Sequence, residues 1–336
     1  MSIIYFSSGD FGVKTLQFLV NSNVNVKAVV TSKGKNKYSD ISIKEVANAN
    51  DIPCYIPNSE DELYKFLKGF TDIDMYVVIS YKKLSNRILD LVNWVAINIH
   101  ASILPFLRGA APINWAIRNG FKETGLTAFM LSEKIDCGKV LRTITTKIDD
   151  NETYLSLFNK LSYLCPDFTL QTIKDFESGR CHLFEQVNIG VDKYKELFNA
   201  PKINPKYWGD WLCLSMNEID CLFRSTDEGL PIKLYAVNRD DHREYYEFDC
   251  KIWDFDFIPN FEEGSDGVNW DLTECDGKNY IRVVFGTQVE KVISIKEIQL
   301  LGKKRMKIKD FLNGFKYSKL INQYKLVVST ADYGKE

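Results

Sequence analysis

The chain has 336 residues, of which 45% are apolar and 13% aromatic. That length suits two domains at the usual ~100 to 200 residues each, and the apolar share excludes long disorder. The net charge of −2 removes any bulk electrostatic case for a nucleic-acid partner, which local basic patches would have to recognise. The start, MSIIYFSSGDFG, has no basic segment followed by a long apolar one, and no later run approaches the ~18 apolar residues of a membrane span. A cytoplasmic protein with no membrane contact is expected. Eight cysteines are scattered with no C-x-x-C pair, so reduced thiols are expected and a metal site is not.

In chain order, Ser2 to Phe6 reads as a strand, Ser7 to Asp10 as a turn and Phe11 to Val20 as a helix. Gly9 and Gly12 supply only a fragment of a dinucleotide fingerprint, so tight turns explain them and a nicotinamide enzyme is not expected. Val26 to Val30 is the next strand. The polar segment Thr31 to Ser39 after it carries Lys33, Lys35 and Lys37, a pattern that most often marks a solvated loop. Helix Ile43 to Asn50, short strand Cys54 to Ile56, helix Glu60 to Leu67, strand Met75 to Ser80 and helix Leu84 to Val92 follow. Such alternation predicts a doubly wound, mostly parallel α/β sheet covered on both faces.

Trp94 to Ile99 reads as a buried strand, with Asn98 and His100 two apart at its end. Side chains alternate along a strand, so both share one face at a carboxyl end, where open α/β sheets bind ligands. Pro105 and Gly109 bound a loop, Pro112 opens helix Ile113 to Arg118, and strand Leu126 to Leu131 leads to a loop with Asp136 before Gly138. An amide and an imidazole on one face can hold the oxyanion of acyl transfer, and a nearby carboxylate can orient the imidazole and help move a proton. Ser102 has no base at nucleophile spacing and reads as a loop-fixing hydroxyl, so the attacking group would be an amine of the acceptor.

Val140 to Ile148 reads as a strand leaving this site, and Thr153 to Phe176 as a long helix that Pro166 should kink or break. Beyond residue 205 the texture changes. A short helix, Asn217 to Phe223, precedes strands Ile232 to Val237, Glu247 to Phe257, Asn279 to Phe285 and Val289 to Leu301 without intervening helices, which predicts a small OB-like β-barrel. The expected domains are 1–204 and 205–330. Tyr245 to Asp276 is strongly acidic and would have to face away from any RNA, while the basic run Lys303 to Lys309 is either an RNA-facing side or a strand edge protected by lysines.

The run Asn98-Ile99-His100-Ala101-Ser102-Ile103-Leu104-Pro105, with Arg108-Gly109-Ala110-Ala111-Pro112, resembles the N-[IVL]-H-x-S-L-L-P-x-x-R-G-A-A-P signature of formyltransferases that use 10-formyltetrahydrofolate. Glu123-Thr124-Gly125-Leu126-Thr127 and Ile135-Asp136-Cys137-Gly138 are similar to that family's E-T-G-V-T and L-D-T-G blocks, in the expected order. The resemblance implies a formyltransferase fold, 10-formyltetrahydrofolate as formyl-donating cosubstrate without a metal, and Asn98, His100 and Asp136 as catalytic residues. It places the folate against Tyr81, Lys82, Leu84, Ser102, Leu104 and Pro105. Ala200-Pro201-Lys202-Ile203, Gln299 to Met306 and Asp310 to Gly314 resemble the methionyl-tRNA branch, implying initiator methionyl-tRNA as acceptor and no obligate protein partner. Acceptor contacts are then expected at Lys33, Lys35, Lys37, Lys303, Lys304 and Arg305, with Arg108 either touching the acceptor or fixing its loop. Two features depart from that branch. The Lys33 to Lys37 loop is short, and Ser225 to Lys233 replaces an N-P-W-P-G-A-like turn. The short loop and the acidic barrel keep a nucleotide-linked amino sugar open as the alternative acceptor. Formate release to water and a noncatalytic RNA-binding role on the same fold are the other readings.

Overall fold

Short runs rich in β-branched and aromatic residues form the centre of the first half of the chain. In the computed structural model, which describes residues 1–33, 42–186, 199–203, 211, 214–238, 240, 245–258, 281–285, 291–314 and 324–329, these runs are the strands of a seven-stranded sheet. Strands β1 (Ser2–Ser7), β2 (Asn25–Val30), β3 (Cys54–Tyr55), β4 (Met75–Ile79) and β5 (Val95–His100) lie parallel in the order β3-β2-β1-β4-β5. Strands β6 (Glu123–Met130) and β7 (Val140–Lys147) extend the sheet antiparallel. The strand order reverses its direction of winding between β1 and β4, the switch point at which such sheets open a ligand crevice.

Alternation along the central strands divides their side chains between two apolar layers. Ile3, Tyr5, Met75, Val77, Ile97 and Ile99 meet Leu16 of α1 (Val13–Asn21), Val46 of α2 (Ile43–Ala49), and residues of two later helices. Ile4, Phe6, Tyr76, Val78 and Ala96 meet Leu63 and Leu67 of α3 (Glu60–Leu67) and Ile88 of α4 (Asn86–Leu89) on the other side. Burial on both faces is why these strands read as continuous apolar runs. The two later helices are α5 (Pro112–Arg118) and α6 (Tyr154–Glu177), which contribute Ile113 and Leu161.

Most expected elements lie within a few residues of their observed bounds, and the differences have local causes. Asp10–Gly12 forms a separate 3-10 turn before α1. The expected helix Leu84 to Val92 is reduced to the single turn of α4, because Leu84 is buried ahead of it against the second apolar layer. Pro166 does not break α6. The missing N–H costs one helical bond, but Leu161, Cys165, Phe168 and Ile173 on both sides of it are buried in the same core, and that packing outweighs the local loss.

The chain divides into two compact units, Met1–Lys202 and Ile203–Glu336, against an expected junction at 204/205. In the second unit α7 (Met216–Arg224) is opened by a capping box between Ser215 and Glu218. Strands β8 (Leu230–Asn238), β9 (Tyr245–Ile258), β10 (Ile281–Phe285), β11 (Lys291–Leu300), β12 (Met306–Lys307) and β13 (Tyr324–Ser329) form an antiparallel sheet ordered β10-β11-β9-β8-β13, with β12 paired to β11. Helix α8 (Ile308–Gly314) follows β12. Strand β13 was not expected from the sequence. Pro231 is accommodated in β8 because the β13 pairing reaches only as far as Lys233, so its missing N–H falls beyond that ladder.

One face of this sheet packs Ile232, Leu234, Ile252, Ile293 and Ile295 against Trp211 and Leu222. The opposite face carries Lys233, which reaches Glu247, and Lys296, which pairs with Asp256 at 2.6 Å. Part of the acidic stretch is therefore charge-balanced by lysines on neighbouring strands. Residues 259–280, which hold Glu262, Glu263, Asp266, Asp271, Glu274 and Asp276, lie outside the described residues, and among those described no helix is long and apolar enough to cross a membrane.

Burial pushes the Cys165 thiol up to about 11 and the Cys250 thiol up to about 12, one in each unit. A raised folded-state value means that the unfolded chain loses its proton first as pH rises, so the associated stability is full below the ordinary thiol value of 9.0 and lost above it. We expect urea-unfolding free energy to fall as pH rises from 9 to 11, by about 1.4 kcal/mol per unit for each such thiol, and to fall less steeply in Cys165→Ala.

Candidate active site

The last polar residues of β5 stand over a cleft at the carboxyl ends of β4 and β5. Asn98 and His100 continue the face that carries Ala96, so the strand's period of two delivers both to the same wall. The cleft measures about 550 Å³, and Tyr81, Leu84, Ala111, Ile135, Asp136 and Phe158 are among the residues that line it. Its size falls within the ~300–1,000 Å³ of small-molecule sites.

His100 is 5% exposed, and its Nε2 lies 2.8 Å from the carbonyl oxygen of Leu107. A carbonyl only accepts, so Nε2 carries the proton and Nδ1 is the nitrogen that faces Asp136. Asp136 Oδ2 is 3.8 Å from Nδ1, too long for a direct hydrogen bond. The ring packs edge-on against Phe129 with centroids 6.4 Å apart, which fixes its plane. Asn98 is half-buried in the cleft wall and has no side-chain hydrogen-bond partner among the described residues, leaving its amide available to a ligand.

Asp136 sits at φ 51, a left-handed conformation uncommon outside glycine. Its carboxylate accepts the backbone N–H of Gly109 at 2.8 Å, and its backbone carbonyl accepts the Gln186 amide at 2.9 Å. The Gly109 backbone is itself constrained. At φ 120 an added Cβ would lie 2.7 Å from the carbonyl oxygen of Ala200, and Ala200 exchanges hydrogen bonds with Arg108 O and Ala111 N–H. The Ala200-Pro201 segment thus stitches the Arg108–Pro112 loop in place, and Trp115 of α5 donates to Pro201 O at 2.8 Å.

Tyr81, Lys82 and Leu84 line the cleft. The Tyr81 hydroxyl is buried with no partner among the described residues, and burial pushes it up to about 12, so it stays a neutral donor. Ser102, Leu104 and Pro105 are not part of the cleft lining. Ser102 is 1% exposed and donates to Phe106 O at 2.6 Å, Leu104 N–H donates to Thr127 Oγ1 at 3.2 Å, and the Leu104–Pro105 bond is cis. Lys83 and Lys134, not singled out from the sequence, also line the cleft. Among the described residues no group of three or more His, Cys, Asp or Glu could hold a metal ion.

A family model described as "Formyl transferase" matches residues 1–172, and one described as "Formyl transferase, C-terminal domain" matches residues 209–316. The chain belongs to the formyl transferase family. Among curated relatives, the chain is 31% identical to the methionyl-tRNA formyltransferase of Azobacteroides pseudotrichonymphae, over 94% of this chain and 96% of that one. It is 30% identical to the methionyl-tRNA formyltransferase of Bacteroides thetaiotaomicron, over 95% and 97%. Among solved structures, an N-formyltransferase from Helicobacter canadensis in complex with folinic acid and dTDP-3-aminofucose superposes with a TM-score of 0.61 at 17% identity, covering 88% of this chain and 98% of that one. That last likeness shows the fold alone.

Among the acceptor residues expected of this formyl transferase, Arg108 gives Nε and Nη2 to Gln186 Oε1 at 3.1 and 2.6 Å. Lys33 donates to Asn58 at 2.9 Å. Lys35 and Lys37 lie outside the described residues. Lys303 and Lys304 are exposed on the turn between β11 and β12, whereas Arg305 pairs with Glu297 and stacks over Trp253 at 5.2 Å. The structure thus brings Asn98, His100, Asp136, Tyr81, Lys82 and Leu84 to one cleft. Gln186 escaped the sequence reading, since it stands 50 positions from Asp136 outside any quoted motif.

Gly138 closes the β6–β7 connection so tightly that an added Cβ would lie 1.7 Å from Met130 O. Gly138→Ala should therefore force the Asp136 loop apart. We expect a melting temperature lower by several degrees, as for a loss of ~2 kcal/mol, together with a displaced Asp136 in the crystal structure of the variant.

Proposed function

We propose that this chain transfers a formyl group from 10-formyltetrahydrofolate to the α-amine of initiator methionyl-tRNA. The observation that carries the reading is the convergence of Asn98, His100 and Asp136 on one cleft, in a chain about 30% identical over nearly its full length to methionyl-tRNA formyltransferases. The folate, when bound, supplies the formyl carbon. The cleft suits it in volume, in its apolar wall from Val78, Leu84 and Leu131, and in the unpartnered Tyr81 hydroxyl.

The geometry of the cleft supports a role for each side chain. The Asn98 amide and the His100 ring are donors for the formyl oxygen, on which negative charge gathers as the amine attacks, Nδ1 having taken up the proton that the amine releases. Asp136, 3.8 Å from Nδ1, orients the ring and relays that proton, directly or through a bridging water. The carbon–nitrogen bond to the folate breaks as the new amide forms, and the proton passes to the departing nitrogen. Ser102, Leu104 and Pro105 serve by holding the loop rather than by touching the folate. Lys82, Lys83 and Lys134 give the cleft mouth a positive rim suited to carboxylates or phosphates.

The direct test is formyl transfer from 10-formyltetrahydrofolate to charged initiator methionyl-tRNA, set against nucleotide-linked amino sugars. We expect transfer to the tRNA and a fall in kcat of about 10²- to 10³-fold or more in His100→Ala and in Asp136→Asn, with folding intact by circular dichroism. Transfer only to a sugar would overturn the acceptor, and wild-type activity in His100→Ala would overturn the site.

A further inference from the structure

We propose that Gln186 is a positioning residue that holds the Asp136 loop and the Arg108 side chain in one arrangement. The inference rests on the role given above to Asp136. After α6 the chain returns to the start of β7, where Phe184 and Val140 exchange backbone hydrogen bonds at 2.8 and 2.9 Å. Antiparallel register then sets Gln186, two residues on, opposite Gly138. Its amide nitrogen donates to the carbonyl oxygens of Asp136 at 2.9 Å and Gly138 at 2.8 Å, using both of its protons. Its oxygen accepts from Arg108 Nε and Nη2.

This single neutral side chain therefore joins the two loops that frame the cleft. Residue 136 is held in a left-handed conformation that the chain would otherwise avoid, and Gln186 ties down the carbonyls on either side of Cys137. With the Gly109 N–H on the carboxylate, Asp136 is fixed at both backbone and side chain. The amide's neutrality also matters. A carboxylate here could not donate to the carbonyls and would cancel the Arg108 charge, whereas the amide orients the guanidinium and leaves it cationic beside the site.

The test compares full-length Gln186→Ala, Gln186→Glu, Asp136→Ala and the Gln186→Ala/Asp136→Ala double variant in formyl transfer, with hydrogen exchange at the Gly109 amide as a readout independent of activity. Gln186→Ala and Gln186→Glu should each lose about 10²-fold in kcat with folate KM changed by less than about twofold, because a misplaced group weakens the transition state more than ground-state binding. The Glu variant loses activity because it keeps the acceptor for Arg108 but not the donors. Adding Gln186→Ala to Asp136→Ala should cost far less than it costs the wild type, since only the Arg108 contact is then left to lose, a non-additivity that a merely structural role would not produce. The Gly109 amide should exchange faster in Gln186→Ala while the melting temperature holds. Wild-type kcat in Gln186→Ala, additive losses, or unchanged Gly109 protection would each overturn the proposal. If the wild type formylated no amine, the functional reading would fail, and Gly109 protection would still decide whether Gln186 holds Asp136.

Discussion

The site depends on the hydrogen bond from the Gly109 N–H to the Asp136 carboxylate, 2.8 Å long, because it is the direct link between two loops that come from different strands. One loop leaves β5 and carries Arg108, and the other leaves β6 and carries the aspartate. Neither is regular structure, and each places a backbone conformation that most residues avoid, φ 120 at Gly109 and φ 51 at Asp136. Such conformations persist only when their surroundings over-determine them. Ala200 on one side and Gln186 on the other do so here.

Behind the loops the sheet supplies rigidity. Its central strands are buried on both faces, so the end of β5 cannot slip without exposing Ile97 and Ile99 and moving the whole ladder. The polar pair at the end of this strand is positioned by the apolar packing behind it, with the His100 ring set against Phe129. The consequence is chemical: donors fixed before the reaction need no reorganisation during it.

The second unit uses a different economy. Its antiparallel sheet is apolar on one face and lined with ion pairs on the other, and the exposed Lys303 and Lys304 sit on a turn at its rim. The lysine–acid ladder accounts for part of an acidic composition that looked unsuited to an RNA partner, since Glu247 and Asp256 are met by lysines from adjacent strands.

By itself the sequence determined the alternating α/β order, the shift to consecutive strands after residue 205, and the Asn98-x-His100 pair, because these depend on periodicities of two and 3.6 that the chain states locally. Tertiary structure alone decided that Pro166 rides through an unbroken helix, that Leu84 packs ahead of a single helical turn, and that Tyr324–Ser329 joins the sheet beside β8. It also decided that Leu104 turns into the loop rather than the cleft, and that Gln186 closes on Asp136. Each of those outcomes is set by contacts between residues far apart in the chain, and no local pattern records which distant carbonyl an amide will find.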